Sequence, residues 1–128
     1  MQTKTLEKLL IEANDLVKRL SFEESINLIN NSKTVIIDVR EESEVYNLGL
    51  VKNAIHIPRG LLEFKLSPNS PNNPVLIDDE TNILVYCAGG YRSALAAKTL
   101  LDLGFKNVYT LGGFQEWVES GGEIQPNV

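Results

Sequence analysis

The chain has 128 residues, of which 43% are hydrophobic and 23% charged, and its formal net charge is -5. This length and composition fit one globular domain that is large enough to stand without cross-links. The acidic balance argues against a nucleic-acid-binding protein, because such a protein needs a basic surface to neutralise phosphates.

The first twenty residues predict an amphipathic helix. Charges interrupt this segment throughout, so we expect neither a signal peptide nor a membrane span. Because a single cysteine forbids an internal disulfide, the default location is the cytoplasm. The apolar stripe leaves two interpretations open: a helix packed against the domain, which is the commoner case, or a docking surface for a partner. The stripe consists of Leu6, Leu9, Leu10, Ala13, Leu16, Val17 and Leu20.

A short helix and a buried strand are predicted next. Ser21 and Glu24 have the spacing of a capping box, so we expect a helix through about Ile29. The run 34–38 is β-branched and apolar, as in a strand that is covered on both faces.

Three further strands and a second helix follow. Similar apolar runs occur at 54–57, 82–86 and 107–111, with helical spacing between the last two and Gly104 as a helix stop. Residues 67–74 contain three prolines and no apolar side chain, and predict a surface loop. The alternation of strands and helices predicts an α/β fold with a mostly parallel sheet.

The only cysteine, Cys87, follows one predicted strand and precedes a predicted helix. Ligands of open α/β sheets bind just beyond the carboxyl ends of the strands. Gly89 and Gly90 tolerate the dihedral angles of a loop whose N–H groups point inward, and Arg92 adds a permanent charge at the helix entrance. These features favour the reactive thiolate. A packing cysteine is the alternative, but it would need neither the glycines nor the arginine.

The spacing within this loop separates two kinds of chemistry. Four residues lie between Cys87 and Arg92. The cysteine phosphatases resemble this arrangement but place five residues there, which gives a wider ring around a phosphate. The shorter loop suits one extra sulfur atom on the cysteine better than a tetrahedral phosphate. The spacing therefore argues against a phosphatase, which is a less favoured alternative. An arsenate reductase is the other one; with one cysteine it would need an external thiol, which the sequence neither shows nor forbids.

The chain resembles the single-domain rhodaneses, whose active loop has the form Cys-x-x-Gly-x-Arg-Ser. Residues 87–93 fit this form, and three more blocks are similar to family blocks. The similarity covers about 20–123 and implies an N-terminal helical extension over 1–19 and a rhodanese-like domain over 20–128. The implied fold has three layers, with about five strands in its sheet. The matching positions in the other blocks are Asp38, Arg40, Glu44, Pro58, Arg59, Glu63, Gly112, Gly113 and Trp117.

The sequence departs from the family at two positions. Leu50 and Asn53 stand where the family often has histidine and glycine. The resemblance places both at a turn away from the cysteine loop, so we expect an effect on local packing and little on the chemistry.

The resemblance implies a sulfurtransferase that works by double displacement at Cys87. The thiolate takes a sulfane sulfur from a donor such as thiosulfate or a small persulfide, and the Cys87 persulfide then passes it to a thiol or to cyanide. No cofactor is implied. Because there is no second cysteine, the acceptor is external, either a small thiol or a carrier protein, and we expect a monomer. A non-catalytic rhodanese module that binds a partner or senses sulfur is the alternative, although Cys87 and Arg92 are intact.

The expected substrate-binding residues lie in the cysteine loop and at the neighbouring strand ends. We expect Arg92 to face a bound anion, and Tyr91 either to form a pocket wall or to point to solvent. Asp38 and Arg40 close the strand at 34–38, and we expect them to brace the loop, to steer an anionic donor or to form a structural salt link. The loop residues are Ala88, Gly89, Gly90, Tyr91, Arg92 and Ser93.

Three further polar residues lie in or just after the predicted strand at 54–57. Arg59 and Glu63 follow the carboxyl end of this strand, and we expect them to line the mouth of the site. His56 is the only histidine, and we expect a structural role for it because it alternates with apolar neighbours. No second histidine or cysteine exists to build a metal site with it.

Overall fold

Five parallel strands form the central sheet in this structure, a computed structural model that describes residues 2–127. Their order is β1-β6-β5-β2-β4, and β3 pairs with β7 in a separate antiparallel ribbon. The predicted parallel sheet of about five strands is thus confirmed. The strands are β1 Lys18–Arg19, β2 Thr34–Asp38, β3 Leu50–Val51, β4 Ile55–His56, β5 Asn82–Cys87, β6 Val108–Gly113 and β7 Ile124–Gln125.

Helices cover both faces of the sheet. They are α1 Leu6–Leu16, α2 Phe22–Asn31, α3 Glu42–Leu48, α4 Leu62–Leu66, α5 Tyr91–Asp102 and α6 Phe114–Glu119, with a 3-10 turn at Arg59–Leu61. The predicted capping box is present, because the Ser21 hydroxyl accepts the Glu24 N–H at 3.1 Å and the Glu24 carboxylate accepts the Ser21 N–H at 3.0 Å. None of the helices within residues 2–127 is long and apolar enough to cross a membrane.

Alternation along β5 divides the core into two layers. Ile83, Val85 and Cys87 face the layer built from α4 and α5, whereas Leu84 and Tyr86 face the layer built from α2 and α6. Strands that are buried on both faces read as continuous apolar runs, which is why β2, β5 and β6 are evident in the sequence. Cys87 therefore lies on the α5 side of the sheet.

The N-terminal helix is shorter than the sequence predicts. Helix α1 ends at Leu16 and packs against α5, with Ala13 buried, while Leu6 and Ile11 stay exposed. Residues 18–19, which the sequence analysis assigned to the extension, instead form the edge strand β1 and pair with β6. Backbone pairing holds this strand, and that interaction leaves no apolar signature in the sequence.

Candidate active site

Cys87 is the last residue of β5, which lies between β6 and β2 in the sheet. Residues 88–90 form the loop that joins it to α5. The carboxyl ends of the parallel strands meet at this edge, where α/β proteins bind their ligands. The cysteine side chain is only 1% exposed, so its sulfur lies at the bottom of the loop.

Two backbone N–H groups point at the sulfur. Gly90 donates to Cys87 Sγ at 3.0 Å and Ser93 at 3.3 Å, and Gly90 makes this turn with a φ of +101°. Within residues 2–127, the N–H groups of Gly89, Tyr91 and Arg92 find no acceptor. The loop therefore offers inward donors, as the glycine pair predicts, and it stabilises negative charge at the sulfur.

The Ser93 side chain closes the loop beneath the sulfur. Its buried hydroxyl lies 3.4 Å from Cys87 Sγ, which donates to it as a thiol, and the hydroxyl donates in turn to the Gly90 carbonyl at 3.2 Å. The serine thus fixes both the cysteine rotamer and the turn at Gly90.

Paired glycines at the end of β6 make room for the cysteine loop. The β5–β6 register shifts between Val85 and Tyr86, so that β6 carries a bulge just before Gly112. A Cβ on Gly113 would collide with the Ala88 carbonyl oxygen. These glycines were not predicted to have a role at the site, although two glycines at a strand end are a usable signal of close backbone approach.

Arg92 lies beside the loop and pairs with α3. Its guanidinium donates to the two carboxylate oxygens of Glu44 at 2.6 and 3.0 Å. This bidentate ion pair lowers the pKa of Glu44 from 4.5 to about 2 and raises the pKa of Arg92. The expectation that Arg92 faces a bound anion stays a prediction, because its side chain is held by a carboxylate in this structure.

Asp38 and Arg40 form a fully buried ion pair behind the site. The guanidinium donates to Asp38 Oδ2 at 2.7 Å and to the Gly49 carbonyl at 2.6 Å, and it lies 4.2 Å above the Phe114 ring. Direct contact with a donor does not fit this burial. The geometry favours bracing, because Phe114 directly follows the glycines that support the cysteine loop.

Within residues 2–127, none of the remaining candidate side chains forms a hydrogen bond with the sulfur. Arg59 donates to Glu63 and to Thr99, and Thr99 is about 12 Å along α5 from the loop at 1.5 Å per residue. Tyr91 is 70% exposed and points largely to solvent. His56 bonds the Arg40 carbonyl at 2.8 Å, which fits the structural role expected for it.

Arg19 is a further cation beside the loop, and it was not among the residues predicted from the sequence. Its guanidinium lies against Gly112 and near Gly90. Its Nη2 donates to both carboxylate oxygens of Glu116, at 2.6 and 2.7 Å. Nothing in the sequence singles out this residue, because only the pairing of β1 with β6 brings it to the site.

Comparison with known proteins places this site in a family. Residues 21–120 match the Rhodanese-like domain family. The thiosulfate sulfurtransferase GlpE of Coxiella burnetii is 34% identical over 103 residues, which cover 80% of this chain and 88% of that protein. The tRNA uridine(34) hydroxylase of Photorhabdus laumondii is 33% identical over 107 residues, but the chain spans only 29% of its length.

A solved structure is similar over nearly the whole chain. It belongs to a Rhodopseudomonas palustris protein of unknown function that was suggested to be a tyrosine phosphatase. The TM-score is 0.86 and the identity 37%, over 98% of this chain and 97% of the other. The N-terminal helix is therefore part of the matched architecture.

Proposed function

Because the chain belongs to the rhodanese-like domain family, we propose that it is a sulfurtransferase that carries a sulfane sulfur on Cys87. The observation that supports this most is the pair of N–H donors aimed at Cys87 Sγ from Gly90 and Ser93. A sulfur that is almost wholly buried and still receives two donors is arranged to hold negative charge. A packing cysteine gains nothing from such donors.

In the first step, the Cys87 thiolate attacks the outer sulfur of a donor such as thiosulfate. A bond forms between Sγ and this sulfur, the S–S bond of the donor breaks, and sulfite leaves with the electron pair. The product is a Cys87 persulfide anion. The N–H groups of Gly89, Tyr91 and Arg92, which lack acceptors within residues 2–127, are available to the terminal sulfur.

In the second step, an external thiolate or cyanide attacks the outer sulfur of the persulfide. The Cys87–sulfur bond breaks, its electron pair returns to Sγ, and the acceptor leaves as a persulfide or as thiocyanate. The chain has a single cysteine, so no internal thiol competes for the sulfur. The acceptor is therefore external: a small thiol, cyanide or a carrier protein.

Intact-mass spectrometry of thiosulfate-treated protein tests the proposal. The expected result is the gain of one sulfur atom on the wild type, reversed by a reducing agent, and no gain in a Cys87→Ser variant. A wild type that takes up no sulfur from thiosulfate or from a small persulfide would contradict it.

A phosphatase is the second candidate, and the Rhodopseudomonas palustris relative is the reason to test it. The structure supports it less, because four residues separate Cys87 and Arg92 and because Glu44 occupies the guanidinium that would hold a phosphate. We expect no hydrolysis of an aryl phosphate. Hydrolysis that is lost in Cys87→Ser would favour the phosphatase instead.

A further inference from the structure

Arg19 reaches the cysteine loop from the edge strand β1. Its guanidinium lies flat on Gly112, where a Cβ would be 2.6 Å from Nη2 and 3.0 Å from the central carbon. Its Nη1 lies 3.3 Å from the position that a Cβ on Gly90 would occupy. Both glycines have positive φ, +90° and +101°, and the missing side chain at Gly112 leaves room for the guanidinium from β1.

The free edge of this guanidinium faces the loop that holds the sulfur. Nη2 carries both contacts to Glu116, whereas Nη1 and Nε have no acceptor within residues 2–127. Gly90 also donates its N–H to Cys87 Sγ at 3.0 Å. Nη1 is 3.3 Å from the position of a Cβ on Gly90, and the Gly90 N is 3.0 Å from Sγ, so Nη1 and Sγ are no more than about 9 Å apart.

The surrounding charges give Arg19 an orientation that suits an anion at the loop. Its side chain is 51% exposed, so its free N–H groups are open to a ligand from solvent. Glu116 holds the guanidinium from α6, on the side of Nη2, and leaves the positive edge towards Gly90. A separation of about 9 Å is within the screening length of about 10 Å at 0.1 M salt, so this charge acts on a ligand at Sγ.

We propose that Arg19 is a specificity residue that binds the negatively charged end of the sulfur donor, and so selects anionic donors over neutral ones. This inference rests on the proposed sulfurtransferase function. In thiosulfate the oxygens of the departing sulfite carry the charge, and Nη1 donates to one of them while the S–S bond breaks. Arg19 thus contacts the leaving group, whereas the N–H groups of the loop hold the transferred sulfur.

Two alkylating reagents test this without any sulfur transfer. Iodoacetate and iodoacetamide both form a bond from Cys87 Sγ to their methylene carbon and release iodide, but only iodoacetate is an anion. The ratio of their rate constants therefore measures the preference of the site for an anion. The rate constants of both reagents depend on the geometry of the loop, so a change in that geometry cancels in their ratio.

Four variants should change the ratio of the iodoacetate and iodoacetamide rate constants in different ways. Arg19→Gln should lower it about fivefold, which is the effect of losing one partly screened charge at this distance. Glu116→Gln should raise it, because Arg19 then loses its neutralising partner, and the double variant should lie between the two. Lys18→Gln is the matched control: Lys18 lies on the opposite face of β1 and pairs with Glu24 at 3.5 Å, so its loss should leave the ratio unchanged.

The concentration dependence of persulfide formation is the second measurement. Arg19→Gln should raise the thiosulfate concentration for half-maximal loading about fivefold, with little change in the limiting rate. An unchanged ratio of alkylation rates, or an equal loss with both reagents, would overturn the inference even if the wild type forms a persulfide. If the ratio follows the expected pattern but no donor loads sulfur, the proposed function fails and the anion preference of Arg19 stands.

Discussion

Replacement of Glu44 by glutamine should destabilise the protein by removing the carboxylate that holds Arg92 beside the cysteine loop. The glutamine keeps the side-chain oxygen that accepts the Glu41 N–H at the start of α3. The variant therefore removes the charge and leaves the helix cap. What it tests is the electrostatic part of the contact between α3 and the loop.

The size of the effect follows from the pKa of Glu44, which the Arg92 guanidinium lowers from 4.5 to about 2. A shift of this size corresponds to at most about 3–4 kcal/mol. The side chains of Glu44 and Arg92 are 28% and 38% exposed, so solvent screening should reduce the loss to about 1 kcal/mol. The melting temperature should then fall by about 3–5 °C.

The pH dependence gives a sharper test than the melting temperature. Because the folded-state pKa is depressed, the carboxylate stabilises the fold fully above its unfolded value of 4.5, and this stabilisation is lost as the pH falls towards about 2. Urea unfolding, followed by the fluorescence of the buried Trp117, measures the free energy of unfolding of both proteins. The difference between them should be largest near neutral pH and should shrink steadily below about pH 4.5.

A neighbouring glutamate supplies the control for this prediction. Glu42 lies in the first turn of α3 and forms no ion pair within residues 2–127. Glu42→Gln should change the free energy of unfolding by less than about 0.5 kcal/mol. Equal losses in the Glu42 and Glu44 variants, or a Glu44→Gln loss that does not depend on pH, would refute the reasoning.

Three further substitutions test other parts of the site. Gly113→Ala places a Cβ against a carbonyl oxygen of the cysteine loop, so it should cost about 1–3 kcal/mol in thermal unfolding; Gly60→Ala, which has open space around it, should be nearly neutral. Ser93→Ala removes a hydroxyl but keeps the N–H that donates to the sulfur, so the rate of persulfide formation, measured by mass, should fall only about fivefold. Asp38→Asn leaves a buried guanidinium without its carboxylate and should cost about 3–5 kcal/mol in urea unfolding, far more than Asp78→Asn at an exposed pair.

The sequence predicts the central strands and the cysteine loop because their signals are local. Strands that are buried on both faces must be continuously apolar, and a loop that turns N–H groups inward needs glycine at a position such as Gly90. The capping box at Ser21 is local in the same way. Each of these features is therefore visible without knowledge of the rest of the fold.

The parts of the site that the sequence does not reveal depend on tertiary contacts. Arg19 reaches the loop only because a polar two-residue strand pairs with β6. The sequence motif includes Arg92 and Glu44 but does not show that they bind one another. Asp38 and Arg40 lie at the correct edge of the sheet, but only the tertiary packing, with the Phe114 ring against the guanidinium, shows that they are buried.

The central claim is that Cys87 carries sulfur between two separate half-reactions. The most direct measurement loads the protein with thiosulfate, removes the donor, adds cyanide and quantifies thiocyanate alongside the intact mass. We expect one thiocyanate for each chain that carried the extra sulfur, return of the chain to its original mass, and neither result in Cys87→Ser. Thiocyanate formation without a loaded intermediate, or a loaded sulfur that neither cyanide nor a thiol removes, would contradict it.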